Sequence, residues 1–299
     1  MGLSIFNYSS SLAMKDLCEY LGFQKEVTDR LINHIEKMDL KRFDPYFKGL
    51  FSLETGEEST KEISALCKTK EDPSGDNGLK ALSIYLAAAQ HTYEIYKGLG
   101  ISRQVYLDSM EAFNLFVNEH MQSYGYYGFD RDHWIYRQLS AKIFRLGELE
   151  YELLTLSENS LPIGKALGGS PVLSVHIPSS SLLTRDALDT SYGMAKEFFF
   201  KHFPDYNYMC VYCATWLLSP VLKQFLKEGS HILEFQSDYE IVHVNKETNN
   251  GLKWIYKKEY DDFTQLPEDT SLMRNIKKHL LAGGKIGAAT GYVRDFDKR

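Results

Sequence analysis

The clearest pattern of hydrophobic and polar positions lies in residues 172–235, where strand-like and helix-like segments alternate. Residues 172–177 alternate strictly between two faces, which predicts a strand that Pro178 ends. After a turn of serines, apolar residues recur at steps of three and four, which predicts an amphipathic helix that begins after Thr184 and stops before Pro204. The apolar face of this helix comprises Leu188, Tyr192, Ala195, Phe199 and Phe203.

The remainder of this stretch predicts a second strand, a short helix and a third strand. Residues 208–217 are almost wholly apolar, which is typical of a strand that is covered on both faces. Pro220 opens a short helix at 221–227, and the apolar residues 232–235 predict a fresh strand. A strand-helix-strand connection of this length normally joins parallel strands by a right-handed crossover. The pattern therefore predicts an α/β unit with parallel strands.

The N-terminal part of the chain is predicted to be all helical. Residues 11–39 and 79–122 carry apolar positions at helical spacing, and the intervening segment 68–78, with its Pro, Asp and Gly residues, predicts an exposed loop. The glycine- and tyrosine-rich segment 124–130 interrupts the helical pattern and is the natural joint between two domains. We expect a helical domain at 1–125 and a mixed α/β domain at 126–299.

Within the second domain the pattern predicts further strands and helices. Residues 131–141 have the spacing of a helix, and the alternation that follows changes phase at Gly147, which predicts a strand with a β-bulge at that glycine. Further along, the pattern predicts strands at 240–245 and 252–258 that form a hairpin, a helix at 271–281 and a last strand near 285–293.

Composition excludes several classes of protein. The 299 residues are 43 % hydrophobic and 25 % charged, as in ordinary globular domains, and 20 Tyr and 17 Phe favour thick cores and lined pockets. A net charge of −6 without a basic stripe argues against nucleic acid as a partner. Neither a signal peptide at residues 1–14 nor a run of about 18 apolar residues is present, so we expect a cytoplasmic protein without a membrane partner.

The four cysteines predict neither a disulfide framework nor redox chemistry. They are too sparse for such a framework in a chain of this length, and they indicate a reducing compartment. Cys210 and Cys213 have redox-motif spacing, but residues three apart on a strand face opposite sides. Histidines and acidic residues show no metal-binding motif, so no metal is expected. The cysteines are Cys18, Cys67, Cys210 and Cys213.

Several segments resemble a known superfamily. Residues 209–235 look like the fifth strand, fourth helix and closing strand of the GNAT acyl-CoA-dependent acyltransferases. The motifs His176-Ile-Pro178, Thr215-Trp-Leu-Leu218 and Ile143-Phe-Arg-Leu-Gly147 are similar to bacterial proteins that join a helical N-acyltransferase N-terminal domain to a GNAT-like C-terminal domain. The resemblance covers residues from about 130 to 292. It implies an α+β or α/β fold, with a GNAT-like mixed sheet, and acetyl-CoA or another acyl-CoA as co-substrate.

The turn after the first strand is the expected cofactor site. Unpaired N–H groups at a helix start form a ready anion site, and the resemblance implies that this turn holds the pyrophosphate of coenzyme A. The chain departs from the superfamily pattern, because residues 184–188 lack glycine and Asp186 would oppose a phosphate. An ordinary capped helix start is the alternative. The expected cofactor-binding residues are Ile177, Ser179, Ser180, Ser181, Thr184 and Arg185.

His176 is the expected general base, since an imidazole titrates near neutral pH. A hydrogen-bonded core histidine is the alternative. By analogy with the family, His176 deprotonates the amine and backbone amides near Ile177 receive the oxyanion. Thr215 is expected to bind or orient substrate, although a capping role is equally compatible with its position. The superfamily's usual thiolate-protonating tyrosine corresponds to Phe225, which has no proton to give.

The predicted function is acyl transfer. It requires two neighbouring strands to part after Ile177 and Thr215 and to leave a slot for the pantetheine arm. The predicted acceptor is a small amine. A catalytically inactive GNAT-like acyl-CoA-binding or scaffold protein is the first alternative, and a helical interaction module is the second. Aromatic side chains expected to line the acceptor pocket between the domains are Tyr124, Tyr126, Tyr127 and Trp134.

Overall fold

The computed structural model describes residues 4–296, and the chain forms two compact units, Met1–Arg145 and Leu146–Arg299. The boundary between the units lies later in the chain than the predicted joint at 124–130. A helix nevertheless ends where that joint was predicted, because Gly125 adopts a φ of 81° and closes it. Within residues 4–296, no helix combines the length and the apolar character that crossing a membrane requires.

The first unit is helical, as predicted. The spacing at residues 11–39 and 79–122 corresponds to pairs of helices, and the segment 68–78 is a loop. The helices are α1 (Ser11–Tyr20), α2 (Lys25–Lys37), α3 (Asp44–Phe47), α4 (Gly56–Cys67), α5 (Leu79–Gly98), α6 (Arg103–Tyr124) and α7 (Asp132–Leu139).

Helix α5 is the central helix of this unit, and most of its first three turns are buried. Side chains at nearly every position of these turns are buried, and two buried hydroxyl groups of the helix find partners on neighbouring helices. The hydroxyl of Tyr85 donates to the carbonyl of Thr60 at 3.0 Å, and the hydroxyl of Thr92 donates to the carbonyl of Leu139 at 2.7 Å. These bonds offset the cost of burying hydroxyl groups.

The chain forms a mixed sheet with the strand order β1-β2-β3-β4-β6-β5; strands β2 to β6 belong to the second unit, and β1 spans the boundary at Arg145. The β3–β4 pair is parallel, whereas the β2–β3, β4–β6 and β5–β6 pairs are antiparallel. The elements are β1 (Ile143–Leu146), β2 (Leu149–Thr155), β3 (Pro171–His176), α8 (Arg185–His202), β4 (Val211–Thr215), α9 (His231–Ser237), β5 (Tyr239–Asn245), α10 (Leu252–Tyr256), α11 (Ser271–Leu281) and β6 (Ala288–Val293).

The predicted crossover from β3 through α8 to β4 is confirmed. Thr184 caps α8, since its hydroxyl accepts a hydrogen bond from the amide of Ala187. The apolar face of α8 is buried at Leu188, Tyr192, Ala195 and Phe199, whereas Phe203 lies beyond the helix and is half-buried. The predictions of α11, of the strand that is β5 and of the last strand β6 are also confirmed.

The predicted bulge at Gly147 is wrong. Gly147 has a φ of 70° and lies in a tight turn between β1 and β2. Positive φ is readily available to glycine and ends the strand there. The phase change in the alternation therefore marks two separate strands rather than one bulged strand.

The predicted strands at 232–235 and 252–258 are also wrong, because both segments are helical. The hydroxyl of Ser230 caps α9 by accepting from the amide of Leu233. In α10, Ile255 and Tyr256 are buried in a cluster with Ile276 of α11, and β5 pairs with β6 instead of a hairpin partner. In such short apolar runs, strand and helix give the same hydrophobic signal.

Candidate active site

The two central strands of the sheet part from each other near their carboxyl ends. The β3–β4 ladder comprises the pairs Leu173–Val211 and Ser174–Tyr212, and within residues 4–296 it extends no further. Beyond this point β3 continues to pair with β2, up to His176, and β4 continues to pair with β6, up to Thr215. The two strands therefore part, as predicted, and they do so a few residues before Ile177 and Thr215. That this parting forms a slot for the pantetheine arm stays a prediction.

Side-chain alternation gives the two faces of the sheet different characters beside the slot. On one face the ring of Tyr151 packs against Phe199 of α8, with ring centroids 6.3 Å apart. The opposite face carries polar side chains, of which the glutamates, the serine and the tyrosine are nearly buried. They are Glu150, Glu152, Ser174, His176 and Tyr212.

His176 and Glu152 form a hydrogen-bonded pair on the polar face. Glu152 lies opposite Ser174 in the β2–β3 register, one diagonal step from His176. The Nε2 atom of His176 is 2.8 Å from Oε2 of Glu152, and their side chains are 25 % and 6 % exposed. A carboxylate in this position accepts the Nε2 proton and fixes the tautomer in which Nδ1 carries the lone pair. The pair holds the imidazole ring in one orientation, and the role of His176 as general base stays a prediction.

The sequence predicts a role for His176 and gives no prediction for its partner Glu152. The signal available was the placement of Glu150 and Glu152 two residues apart within the apolar stretch 149–154, which puts both carboxylates on one face of a strand. Which histidine they face depends on the register between strands, and the chain does not show that register.

The turn that connects β3 to α8 is held by hydrogen bonds to Glu148. The hydroxyl of Ser181 donates to the carbonyl of Glu148 at 2.6 Å, and the amide of Leu182 donates to the Glu148 carboxylate at 2.7 Å. Ser179 and Ser180 are exposed on the same turn, and Ile177 is half-buried. The amide of Leu182, which belongs to the predicted anion site, is thus already hydrogen-bonded to the carboxylate of Glu148.

Arg185, a predicted cofactor residue, is engaged by two carboxylates. Its guanidinium donates to both carboxylate oxygens of Asp238, at 2.8 and 3.0 Å, and to Asp189 at 2.9 Å. Burial by itself would lower the pKa of Arg185, but the contacts with Asp238 and Asp189 raise it above its ordinary value. The guanidinium therefore ties the start of α8 to Asp238, and its charge is largely balanced. Its role as a pyrophosphate ligand stays a prediction.

The polar residues that follow β4 have structural hydrogen bonds. Thr215 accepts a hydrogen bond from the amide of Leu217 at 3.2 Å and caps a 3₁₀ turn. Ser219 is buried and donates to the carbonyl of Ile286. Phe225 packs edge-on against the ring of His279, with centroids 5.1 Å apart. A substrate-orienting role for Thr215 stays a prediction.

The two thiols of the second unit are unsuited to redox chemistry. Burial raises the pKa of Cys210 to about 11 and that of the fully buried Cys213 further still. Within residues 4–296 no group of three or more His, Cys, Asp or Glu residues could hold a metal ion.

The aromatic residues predicted to line the acceptor pocket lie in the first unit. Tyr124 and Tyr126 are about half-exposed, and both rings contact His120, at centroid distances of 4.6 and 5.2 Å. Trp134 stacks under the guanidinium of Arg137, 4.3 Å from the ring centroid. Tyr127 is half-buried. Their contribution to an acceptor pocket stays a prediction.

Comparison with known proteins assigns both parts of the chain. Residues 143–293 match the model of a GNAT-like C-terminal domain, and residues 13–141 match that of an N-acyltransferase N-terminal domain. None of the curated proteins is similar enough in sequence to count as a relative.

Solved structures of acyltransferases share the fold. An acyltransferase in complex with decanoyl-CoA and teicoplanin is 21 % identical, with a TM-score of 0.76 over 93 % of this chain and 86 % of that one. An acyltransferase variant in complex with octanoyl-CoA is 20 % identical, with a TM-score of 0.77 over 94 % and 87 %. An acyltransferase in complex with CoA and 10C-Teicoplanin is 20 % identical, with a TM-score of 0.67 over 94 % of this chain and 98 % of that one.

Proposed function

Because the chain belongs to the family of acyl-CoA-dependent acyltransferases that join an N-acyltransferase N-terminal domain to a GNAT-like C-terminal domain, we propose that it transfers an acyl group from coenzyme A to a small amine. The observation that carries this proposal is the His176–Glu152 pair beside the slot between β3 and β4. His176 lies at the carboxyl end of one of two parallel strands, which is the position where such a reaction needs a base.

His176 acts as the general base of the reaction. Its Nδ1 removes a proton from the ammonium or attacking amine, while Glu152 stabilises the imidazolium that forms. The amine nitrogen bonds to the thioester carbonyl carbon, and backbone amides near Ile177 donate to the developing oxyanion. The carbon–sulfur bond then breaks, and the proton held by His176 is available to the departing thiolate. A thiol with a pKa of about 8.5 also leaves without assistance, so Phe225 is compatible with catalysis.

The co-substrate is an acyl-CoA. The pantetheine arm enters the slot, and the turn at 179–185 lies at the pyrophosphate end, where Ser179, Ser180, Ser181 and Thr184 offer hydroxyl or amide donors. Arg185 positions this turn through Asp238. Similar folds hold decanoyl-CoA and octanoyl-CoA, which supports a chain longer than acetyl.

The acceptor is a small molecule with an amine, without nucleic acid or membrane partners. One solved relative was crystallised with teicoplanin, which supports an acceptor of some size. The half-exposed rings of Tyr124 and Tyr126, together with Tyr127 and Trp134, suit such an acceptor because aromatic faces bind flat or apolar groups. The expected location is cytoplasmic.

A second candidate function is that of an inactive acyl-CoA-binding protein. It is favoured by Phe225 and by the Glu148 carboxylate, which occupies an amide of the turn where a pyrophosphate would bind. On this alternative the slot still binds acyl-CoA, but no thiol is released.

Thiol release separates the two functions. The protein is incubated with decanoyl-CoA and a panel of primary amines, and free thiol is measured for the wild type, His176→Ala and His176→Gln. We expect amine-dependent release that both variants reduce by about 10² to 10⁴-fold, with acyl-CoA binding retained. Binding without release for every amine would support the inactive protein. Failure of the wild type to bind any acyl-CoA would overturn both functions.

A further inference from the structure

A tyrosine at the closed end of the slot separates the polar residues from an apolar cluster. We propose that Tyr212 sets the longest acyl chain that this protein accepts, an inference that rests on the function proposed above. We name the apolar residues behind it the floor cluster, which is defined by the buried side chains Leu156, Ile163, Ala166 and Val172.

On one side, Tyr212 belongs to the polar end of the slot. It forms the last β3–β4 pair with Ser174, so both side chains share the face that carries His176. Burial raises the pKa of the Tyr212 phenol, and a hydrogen bond from Ser174 partly offsets that effect. The charge of Glu152 also acts on the phenol. Tyr212 is therefore linked to the neighbouring strand β3 at the last pair of the ladder.

On its other side, the same ring packs against the floor cluster. The segment between β2 and β3 supplies most of this cluster, where Ile163 and Ala166 exchange two backbone hydrogen bonds, of 2.9 and 3.0 Å. Ala166 and Val172 have no exposed surface, and Tyr292 and Val242 flank the group. Tyr212 thus shares a face with His176 and also packs within a set of apolar side chains that suits a hydrocarbon chain, and we infer that its ring divides the two.

The direction of an acyl chain follows from the two ends of the slot. With the thioester carbonyl near Ile177, the acyl chain continues into the slot, toward Ser174. That distance is three residue steps, or about 10 Å. There the strands are bonded to each other, and the chain must leave the plane of the sheet. If the acyl chain leaves on the face that carries His176, the proposal places the Tyr212 ring between the acyl chain and the floor cluster.

The opposite face offers a competing path. Cys213 and Val175 lie there, buried on the face that packs against α8. A chain on that route would be limited by the residue at 213 and not by Tyr212. The two routes therefore make opposite predictions for neighbouring residues of one strand.

The dependence of acyl-CoA affinity on acyl-chain length tests the role of the Tyr212 ring. Burying one more methylene group strengthens binding by about fourfold. In the wild type, affinity should stop increasing once the acyl chain is long enough to contact the Tyr212 ring. Val is smaller than Tyr and suits a strand, so Tyr212→Val should open the way into the floor cluster while keeping β4 intact.

The experiment measures dissociation constants of acetyl-, hexanoyl-, octanoyl-, decanoyl-, dodecanoyl- and tetradecanoyl-CoA by calorimetry. For Tyr212→Val we expect the limit to move to a longer chain, with about tenfold tighter binding of the first chain beyond the wild-type limit. Tyr212→Phe should keep the wild-type profile because the ring remains, and Cys213→Ala is the matched control on the other face. Ala166→Leu added to Tyr212→Val should restore the shorter limit by refilling the floor cluster.

An unchanged limit in folded Tyr212→Val, or a limit moved by Cys213→Ala, would overturn the inference while leaving acyl-CoA binding intact. Loss of all acyl-CoA binding in the wild type would instead overturn the function itself. Tyr212→Leu provides the same test if the valine variant does not fold, as judged by circular dichroism.

Discussion

In the His176–Glu152 pair, a nearly buried carboxylate holds an imidazole ring in one orientation. An isolated histidine on a strand has two tautomers and a freely turning ring. The nearly buried carboxylate of Glu152 holds the ring through a hydrogen bond of 2.8 Å. If His176 is the base, as proposed, it is oriented before the substrate arrives, which lowers the cost of reaching the transition state.

Replacement of Glu152 by Gln should impair catalysis without disturbing the fold. The amide keeps the size of the side chain, but it can donate to Nε2, which selects the wrong tautomer and removes the charge opposite the imidazolium. We expect kcat to fall by about 10²-fold or more, while the KM for acyl-CoA changes little. Steady-state kinetics of thiol release measures both constants.

Glu240→Gln, on strand β5, is the matched control and should leave kcat unchanged. A Glu152→Gln variant with wild-type kcat and an unaltered pH profile of kcat would contradict the positioning role. An equal loss of kcat in Glu240→Gln would also contradict the positioning role of Glu152.

At the scale of single elements, Arg185 and Asp238 connect the start of α8 to the beginning of β5. Asp238 is 2 % exposed and accepts two hydrogen bonds from the guanidinium, and the hydroxyl of Tyr192 also donates to it at 3.3 Å. The charge pair offsets the cost of burying the carboxylate. It also fixes where the turn at 179–185 stands relative to the sheet.

Removal of the guanidinium should therefore destabilise the protein more than it weakens cofactor binding. In Arg185→Met the Asp238 carboxylate stays buried without its partner, and we expect the free energy of unfolding to fall by about 2 to 4 kcal/mol. Denaturant unfolding measures the loss, and calorimetry with CoA should show a change in Kd of less than about threefold. Asp189→Asn, which alters the exposed partner, should cost about 0.5 kcal/mol or less. A stable Arg185→Met with strongly weakened CoA binding would instead make Arg185 a pyrophosphate ligand.

In the first unit, Asp76 fastens the loop before α5 to helix α2. Its carboxylate accepts from Arg30 and lies 2.7 Å from Nε2 of His34. Burial alone would raise the pKa of Asp76, but the bonds and charges of Arg30 and His34 lower it below its ordinary value. A carboxyl group whose pKa is lowered by folding stabilises the native state above about pH 4, and that stabilisation is lost as the pH falls through the folded-state value.

Asp76→Asn should consequently lower stability at neutral pH and have little effect in acid. Asn tolerates the φ of 56° at this position, so the backbone is retained. We expect a loss of about 1 kcal/mol near pH 7 that disappears near pH 3, measured by thermal unfolding at both values. Asp29→Asn, which removes an exposed i,i+4 pair with Lys25, is the control and should change little. An equal loss at both pH values would contradict the assignment.

Elements in which many positions agree could be predicted from the sequence, whereas two short apolar runs could not. Repeated apolar spacing over 79–122 and the capped run after Thr184 specify helices because many positions agree. The apolar runs at 232–235 and 252–258 are too short for their pattern to distinguish a helix from a strand. Contacts with neighbouring elements determine that both are helical. His176 could be found from its alternation and its chemistry, but Glu152 required the β2–β3 register, and the early end of the β3–β4 ladder required coordinates.

At the scale of the whole molecule, the sheet of the second unit supplies both a rigid frame and an opening. Each central strand keeps its outer neighbour, β2 or β6, after the β3–β4 ladder ends. The backbone groups on the inner edges of the slot are thereby available to a ligand without loss of the outer ladders. On the proposed function, coenzyme A binds between these strands without unfolding either of them.

Binding of decanoyl-CoA should stabilise the protein and protect this slot from hydrogen exchange. A ligand that binds the native state alone adds about 2.7 kcal/mol when present at 100 times its Kd, so the melting temperature should rise with its concentration. Exchange should slow at residues 177–186 and 211–217, while α1 and α2 serve as internal references. His176→Ala retains the slot and should show the same protection. Protection confined to the helices of the first unit, with none at 177–186, would contradict binding between β3 and β4.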